Sequence, residues 1–223
     1  MTGGAARAAV FGVSDGLVSN VSLILGFAGG GADSGIVRLA GLAGAIAGGI
    51  SMAAGEWISV SAQNELIERE VAVEARELRV NPDAETAELA EMYVADGMAR
   101  DDAERAAADV MQQPDTALVV HARAELGVDP RHLPSPVRAA MSSIAAFLLG
   151  ALLPVLPWLF GAAGAAPTAV SVAIGIVAAA VVGALIGRLA GRPPVRSAAR
   201  QVAIVIVACG VTYAIGQAVG ISV

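Results

Sequence analysis

Lysine is absent from this chain: all fourteen basic residues are arginine. Cysteine occurs once, as Cys209 inside an apolar run, so the chain can build neither a disulfide framework nor a cysteine-based metal site. A lone thiol in that setting reads as a small buried hydrophobe. Charge is scarce as well, at 15% of 223 residues, where ordinary soluble domains carry about a quarter. Hydrophobic residues make up 56% of the chain and the mean hydropathy is +0.69. That balance excludes an ordinary soluble domain and implies a membrane protein. No nucleophile with a base partner, phosphate-cradling loop or nucleotide motif is found, so an enzyme is not expected, and nothing points to nucleic acid.

What is present is distributed unevenly. Five stretches, 9–30, 39–62, 138–160, 168–190 and 200–221, reach the length of about 20 residues that crosses a hydrocarbon core. Most of the acids fall between Gln63 and Arg138, with almost none on either side. The expected fold is all-α: a five-span transmembrane helical bundle with a helical insert between spans two and three. The expected domains are spans one and two in 1–62, an acidic module in 63–136, and spans three to five in 137–223. Arg7 before the first span, and Arg188, Arg192, Arg196 and Arg200 around "GRPPVR", mark the cytoplasmic ends. The insert and N-terminus are then cytosolic and the C-terminus lies outside. Asp15 interrupts what would be the apolar core of a signal peptide, so no cleavage is expected.

Punctuation inside the insert counts its helices. Span two is expected to run on to about Val80, with Asn81 capping a second helix whose first residue is Pro82. Gly97 ends that helix. "DDAE" at 101–104 resembles a capping box for a third helix reaching about Gln113, and Asp115 after Pro114 is the expected cap of a fourth over 116–126, stopped by Gly127. In the spans, Gly41, Ala45 and Gly48 permit close helix approach, whereas Pro154 and Pro157 should kink span three.

The chemistry sits in two patterns. On a helix turning 100° per residue, Met52, Glu56, Ser59, Gln63, Glu70, Glu74 and Glu77 fall within about 60° of arc, a stripe of sulfur and oxygen donors. Glu74 and Glu77 are followed by Glu85 and Glu88 across the Asn81-Pro82 turn, so four carboxylates can converge, and His121 with Glu125 adds an imidazole and an oxygen on one face. Carboxylates with imidazole suit divalent Fe, Mn or Zn, and the Met52 thioether disfavours hard Mg and Ca at its own position. Taken singly, an exposed acidic face, a surface histidine and a core methionine are the plainer readings of these residues. The second pattern is "FGVSDGLVSNVSLILGF", residues 11–27. Asp15, Ser19 and Ser22 form a polar ladder with Asn20 at its edge, in a span where a charge costs about 3 kcal/mol on insertion scales.

"GVSDGLVSNVSLILGF", "AGAIAGGISMAAGEWISVSAQNE", the glutamate-rich insert, the proline-bearing third span and the five-span plan together resemble the vacuolar iron transporter family, over nearly the whole chain. The resemblance implies a homodimer that exports Fe2+, and in some members Mn2+, from the cytosol in exchange for protons. It places Asp15 and Met52 on the transport path, to which the polar ladder and the donor stripe add Ser19 and Glu56, and Glu74, Glu77, Glu85, Glu88 and Glu125 at a cytosolic metal site, to which the residue patterns add Glu70 and His121; Fe2+, Mn2+ or Zn2+ are the ions expected there. Where some members carry a methionine pair before the last glutamate, this chain has His121 and Ala122. The family has bacterial members, and all-arginine usage fits a GC-rich bacterial genome, so a bacterial plasma membrane is the expected location. A metal-binding or sensing protein without transport is the alternative. A membrane-anchored di-iron ferroxidase is disfavoured, because the insert has no Glu-x-x-His and no ferritin-like domain precedes span one.

Overall fold

A computed structural model of the chain describes residues 3–160 and 164–220, with side chains described from Val10 onward; the Arg7 side chain, one of the orientation markers, lies outside that set. The described residues are helical, without strands. The helices are α1 (Gly3–Gly29), α2 (Ser34–Val80), α3 (Pro82–Ala95), α4 (Arg100–Met111), α5 (Pro114–Glu125), α6 (Pro136–Leu152), the short α7 (Leu156–Leu159), α8 (Ala165–Leu189) and α9 (Pro194–Val219). Five stretches, in α1, α2, α6 with α7, α8 and α9, are long and apolar enough to cross a membrane. The chain divides into two compact units, Met1–Trp57 with Val137–Val223, and Ile58–Pro136.

The first unit is held by small residues and a few buried polar clasps. Leu17, Val21 and Leu25 of α1 pack on Ala179 of α8 and on Val205 and Cys209 of α9. Ile24 meets Val37 of α2, Val155 and Trp158. Ala45 of α2 packs on Phe147 and Ala151 of α6. Apolar side chains gain little from leaving lipid for protein, so close backbone approach and polar bonds must supply the specificity. The buried face of α8 accordingly repeats every fourth residue as Ser171, Gly175, Ala179, Gly183 and Gly187. Asn20 Nδ2 donates to the carbonyls of Gly41 at 3.0 Å and Ala151 at 2.6 Å, joining α1, α2 and α6. Gln201 Nε2 donates to Ser14 Oγ and ties α9 to α1. The prolines of span three produce a 3-10 turn over Leu153–Val155. There Ser171 Oγ, which accepts from Trp158 Nε1 at 2.9 Å, donates to the Pro154 carbonyl at 2.6 Å.

A Cβ added at Gly16 would overlap the Phe147 carbonyl oxygen, and one at Gly150 the Val13 carbonyl oxygen. Both atoms are backbone and cannot swing aside. Gly150→Ala should therefore destabilise the bundle by about 1–3 kcal/mol, as overpacking does. Gly210→Ala, where nothing lies within 4 Å, should not. Thermal unfolding of the two variants in detergent checks the contrast.

The second unit follows its turn chemistry, with corrections at two caps. Gly97 and Gly127 leave α3 and α5 at φ of 99° and 66°, which a Cβ would strain. Asn81 takes the cap position of α3 with Pro82 first in the helix, as expected, although its side-chain amide donates to Glu77 Oε2 at 3.1 Å and makes no cap bond. The "DDAE" capping box does not form: α4 starts two residues earlier, with Ala99 at the cap, because Asp102 engages Arg105 and Arg100 grips Glu91 through two bonds of 2.7 and 3.1 Å. Asp115 is not the cap of α5. Pro114 with its preset φ takes the first helical position, and Gln113 takes the cap.

Candidate metal centre

Three helices of the second unit bring four side chains together. Glu74 lies near the end of α2, in its charged stretch beyond the apolar window that suits a membrane. The one-residue break at Asn81 turns the chain back so that Glu85, on the first turn of α3, comes beside it. The i, i+4 spacing of α5 then presents His121 and Glu125 on one face. One ligand atom from each of Glu74, Glu85, His121 and Glu125 lies within 4.8 Å of all the others. His121 Nδ1 is 3.0 Å from Glu74 Oε1, 3.6 Å from Glu85 Oε2 and 3.6 Å from Glu125 Oε1. The imidazole is fully buried, while Glu125 keeps a quarter of its side chain exposed and gives the group a path to solvent.

The group is polar but poorly satisfied. Glu74 Oε1 and both His121 ring nitrogens are buried without an aligned hydrogen bond. Burial of an unpaired polar atom costs about 1–3 kcal/mol, and here two such atoms, Glu74 Oε1 and His121 Nδ1, face each other at 3.0 Å. Burial, reinforced by the charges of Glu125 and Glu85, pushes the Glu74 carboxyl up to about 7. Glu85 is raised by burial and then by Glu88, with His121 acting the other way. Crowded carboxylates of this kind either hold protons or hold a cation. Three carboxylates and one imidazole make a donor set for a divalent first-row transition ion.

The sign of the pH dependence follows. Glu74 takes its proton in the folded chain at a pH where it would be ionised when unfolded, so its contribution to apo stability is present at low pH and declines as pH rises through about 7. A cation competes with that proton. Metal affinity of the whole chain should rise between pH 5.5 and 7.5, with proton release on binding that fades toward pH 8.5 and is reduced in Glu74→Gln. Calorimetry in buffers of different ionisation enthalpy measures both.

The remaining candidate residues lie elsewhere. Glu77 is half-buried, accepts from Asn81 Nδ2 and lies 3.9 Å from an Arg76 nitrogen. Glu88 and Glu70 are exposed. The tight group therefore takes one carboxylate from each Glu-x-x-Glu pair, Glu74 and Glu85, and completes itself with His121 and Glu125. In the first unit, the polar ladder of α1 divides. Asp15 and Ser19 are exposed on the single chain, with Ser19 Oγ donating to Asp15 Oδ1 at 3.2 Å, whereas Ser22 is buried 3.9 Å from Cys209 Sγ. Met52 is partly buried against Ala45, Phe147 and Ala151, and Glu56 is half-buried. The three-helix clasp of Asn20 was not foreseen. Its one signal was the cost of an amide in an apolar span, which demands partners.

A multi-span helical membrane protein with a carboxylate and imidazole group in a separate helical unit is the class that these features define. The VIT family profile matches residues 6–217, and the chain belongs to that family. It is similar to vacuolar iron transporter 1 of Oryza sativa subsp. japonica, 32% identical over 162 residues, 71% of this chain and 63% of that protein. It is also similar to vacuolar iron transporter 1 of Arabidopsis thaliana, 33% identical over 69% of this chain and 61% of that one. To the vacuolar iron transporter of Acanthamoeba castellanii it is 34% identical, over 70% and 56% of the two chains. The chain thus spans less than two thirds of the length of these relatives.

Proposed function

We propose that the protein moves divalent transition metal, Fe2+ and also Mn2+, from the cytosol across the membrane in exchange for protons. The observation that carries this reading is the convergence of Glu74, Glu85 and Glu125 on the buried, unpaired His121 ring, in a chain with five apolar helices long enough to span. The names of the relatives supply iron as cargo. Residues 63–136 act as a cytosolic module that gathers the ion, with Glu77 and Glu88 adding negative potential around the inner group and Glu70 further out. Asp15, Ser19, Met52 and Glu56 form the path through the spans. The thioether of Met52 favours transition ions over Mg2+ and Ca2+, and the carboxylate of Asp15 exchanges proton for metal.

Asp15 and Ser19 are exposed on a single chain, a costly place for a carboxylate in lipid, and a second copy would enclose them. A homodimer is therefore part of the reading, as is a bacterial plasma membrane with the N-terminus inside and the C-terminus outside, following the arginines. The test is flux. Full-length protein in liposomes should move Fe2+ against a proton gradient, with a pH-sensitive dye reporting proton counterflow. Metal bound without flux under any gradient would instead assign a binding or sensing role.

A further inference from the structure

We propose that the turn joining α8 to α9 is a binding site for anionic phospholipid headgroups. Arg188 stands in the last turn of α8, Arg192 in the turn itself, and Arg196 and Arg200 one helical turn apart on α9. All four are exposed, and none of their guanidinium groups has a hydrogen bond or ion pair with any other described residue. No acid follows Asp129 in the sequence, so α6, α7, α8 and α9 offer these guanidinium groups no carboxylate. The contrast with the second unit is direct. There Arg100, Arg105 and Arg123 are engaged by Glu91, Asp102 and Asp129. In a chain of net charge −6, four unpaired cations at one turn call for an anion from outside the chain.

The turn is also built to hold them still and to meet a membrane. Arg192 N donates to the Gly187 carbonyl at 2.8 Å and Gly191 N to the Arg188 carbonyl at 3.2 Å, after which Pro193 and Pro194 stiffen the entry to α9. Leu189 and Val195, 69% and 81% exposed, flank the arginines. Apolar side chains beside guanidinium groups, at the end of a pair of apolar helices, match the chemistry of a headgroup boundary, where phosphate lies next to acyl chain. Guanidinium binds phosphate oxygens bidentately and is cheaper to desolvate than an ammonium. Basic clusters at the cytoplasmic ends of spans recruit anionic lipid on these grounds. The site is separate from the metal centre and does not depend on transport.

The experiment uses the full chain purified in neutral detergent, with phosphatidylglycerol or phosphatidylcholine added in mixed micelles and inorganic phosphate as a third arm. Lipid retention is read by native mass spectrometry and stability by thermal unfolding. Phosphatidylglycerol should be retained and raise the midpoint, phosphatidylcholine should not, and inorganic phosphate should do little. The triple variant Arg192→Gln, Arg196→Gln, Arg200→Gln should lose retention by about 10-fold or more. Arg69→Gln with Arg79→Gln, exposed arginines of the second unit, should behave as wild type. A lipid-free thermal midpoint equal to that of the wild type shows that the triple variant is folded. Wild-type retention by the triple variant, equal stabilisation by free phosphate, or a change in oligomeric state with lipid retention unaltered would each overturn the assignment.

Discussion

Asp15→Asn should give a folded protein that loads metal as the wild type does and moves none of it, with proton-coupled flux falling to that of empty liposomes. Folding survives because nothing structural rests on the charge. Among the described residues the Asp15 carboxylate accepts one hydrogen bond, from Ser19 at 3.2 Å, and an asparagine oxygen accepts it equally well. Loading survives because the metal-gathering group lies on α2, α3 and α5 of the other unit. What is lost is ionisation. A divalent ion leaving water needs a negative ligand to offset its desolvation, and a carboxylate that takes a proton when the ion departs returns with the opposite cargo. An amide does neither. The control is Asn20→Ala, which removes the clasp on the Gly41 and Ala151 carbonyls and should lower the thermal midpoint without reference to protons. Coupled flux at wild-type rate in a well-folded Asp15→Asn protein would reduce Asp15 to a polar residue midway along α1.

Those two residues, five apart on one helix, show how far the sequence can be read. The all-helical five-span plan follows from composition and run length, because apolar stretches of that length have few alternatives in a membrane. Gly97 and Gly127 end their helices where expected, since glycine tolerates positive φ. The cap positions of α4 and α5 were misplaced, because Asp102 and Asp115 had competing uses that short-range pattern does not rank: an arginine three residues on in one case, a proline that takes the first position in the other. At the metal centre, helical periodicity gives the stripe that holds Glu74. It does not say which member of each Glu-x-x-Glu pair turns inward, because that depends on where α3 and α5 pack. His121 was equally consistent with a surface position. Only the tertiary structure makes it a fully buried ring facing three carboxylates, and Asn20 a clasp where the sequence put it at the edge of a ladder.

The buried ring sets the second large effect. Replacing Glu74, Glu85 and Glu125 together by Gln should abolish high-affinity metal binding and also raise the thermal midpoint of the metal-free protein. The two changes have one cause. Burial and mutual repulsion hold Glu74 and Glu85 above their ordinary range, so the apo group is strained whenever the pH ionises it, and neutral amides remove that strain along with the ligands. Metal should stabilise the wild type by linkage, through binding the folded state alone, and that increment should vanish in the triple variant. His121→Gln is the finer probe. It keeps size and polarity but withdraws the only nitrogen donor of the group, so Zn2+ and Fe2+ affinity should fall by about 10–100-fold, the range seen when even supporting residues of metal sites are lost. Mn2+, content with oxygen donors, should fall less. Glu88→Gln, on an exposed residue outside the group, should change affinity by no more than about 3-fold, because a solvated charge at the margin contributes only screened attraction. Calorimetry on the four proteins orders these effects. If the triple variant kept wild-type stoichiometry, or if Glu88→Gln weakened binding as much as His121→Gln, the ion would be held on the outer glutamates and the inner group would be a proton store.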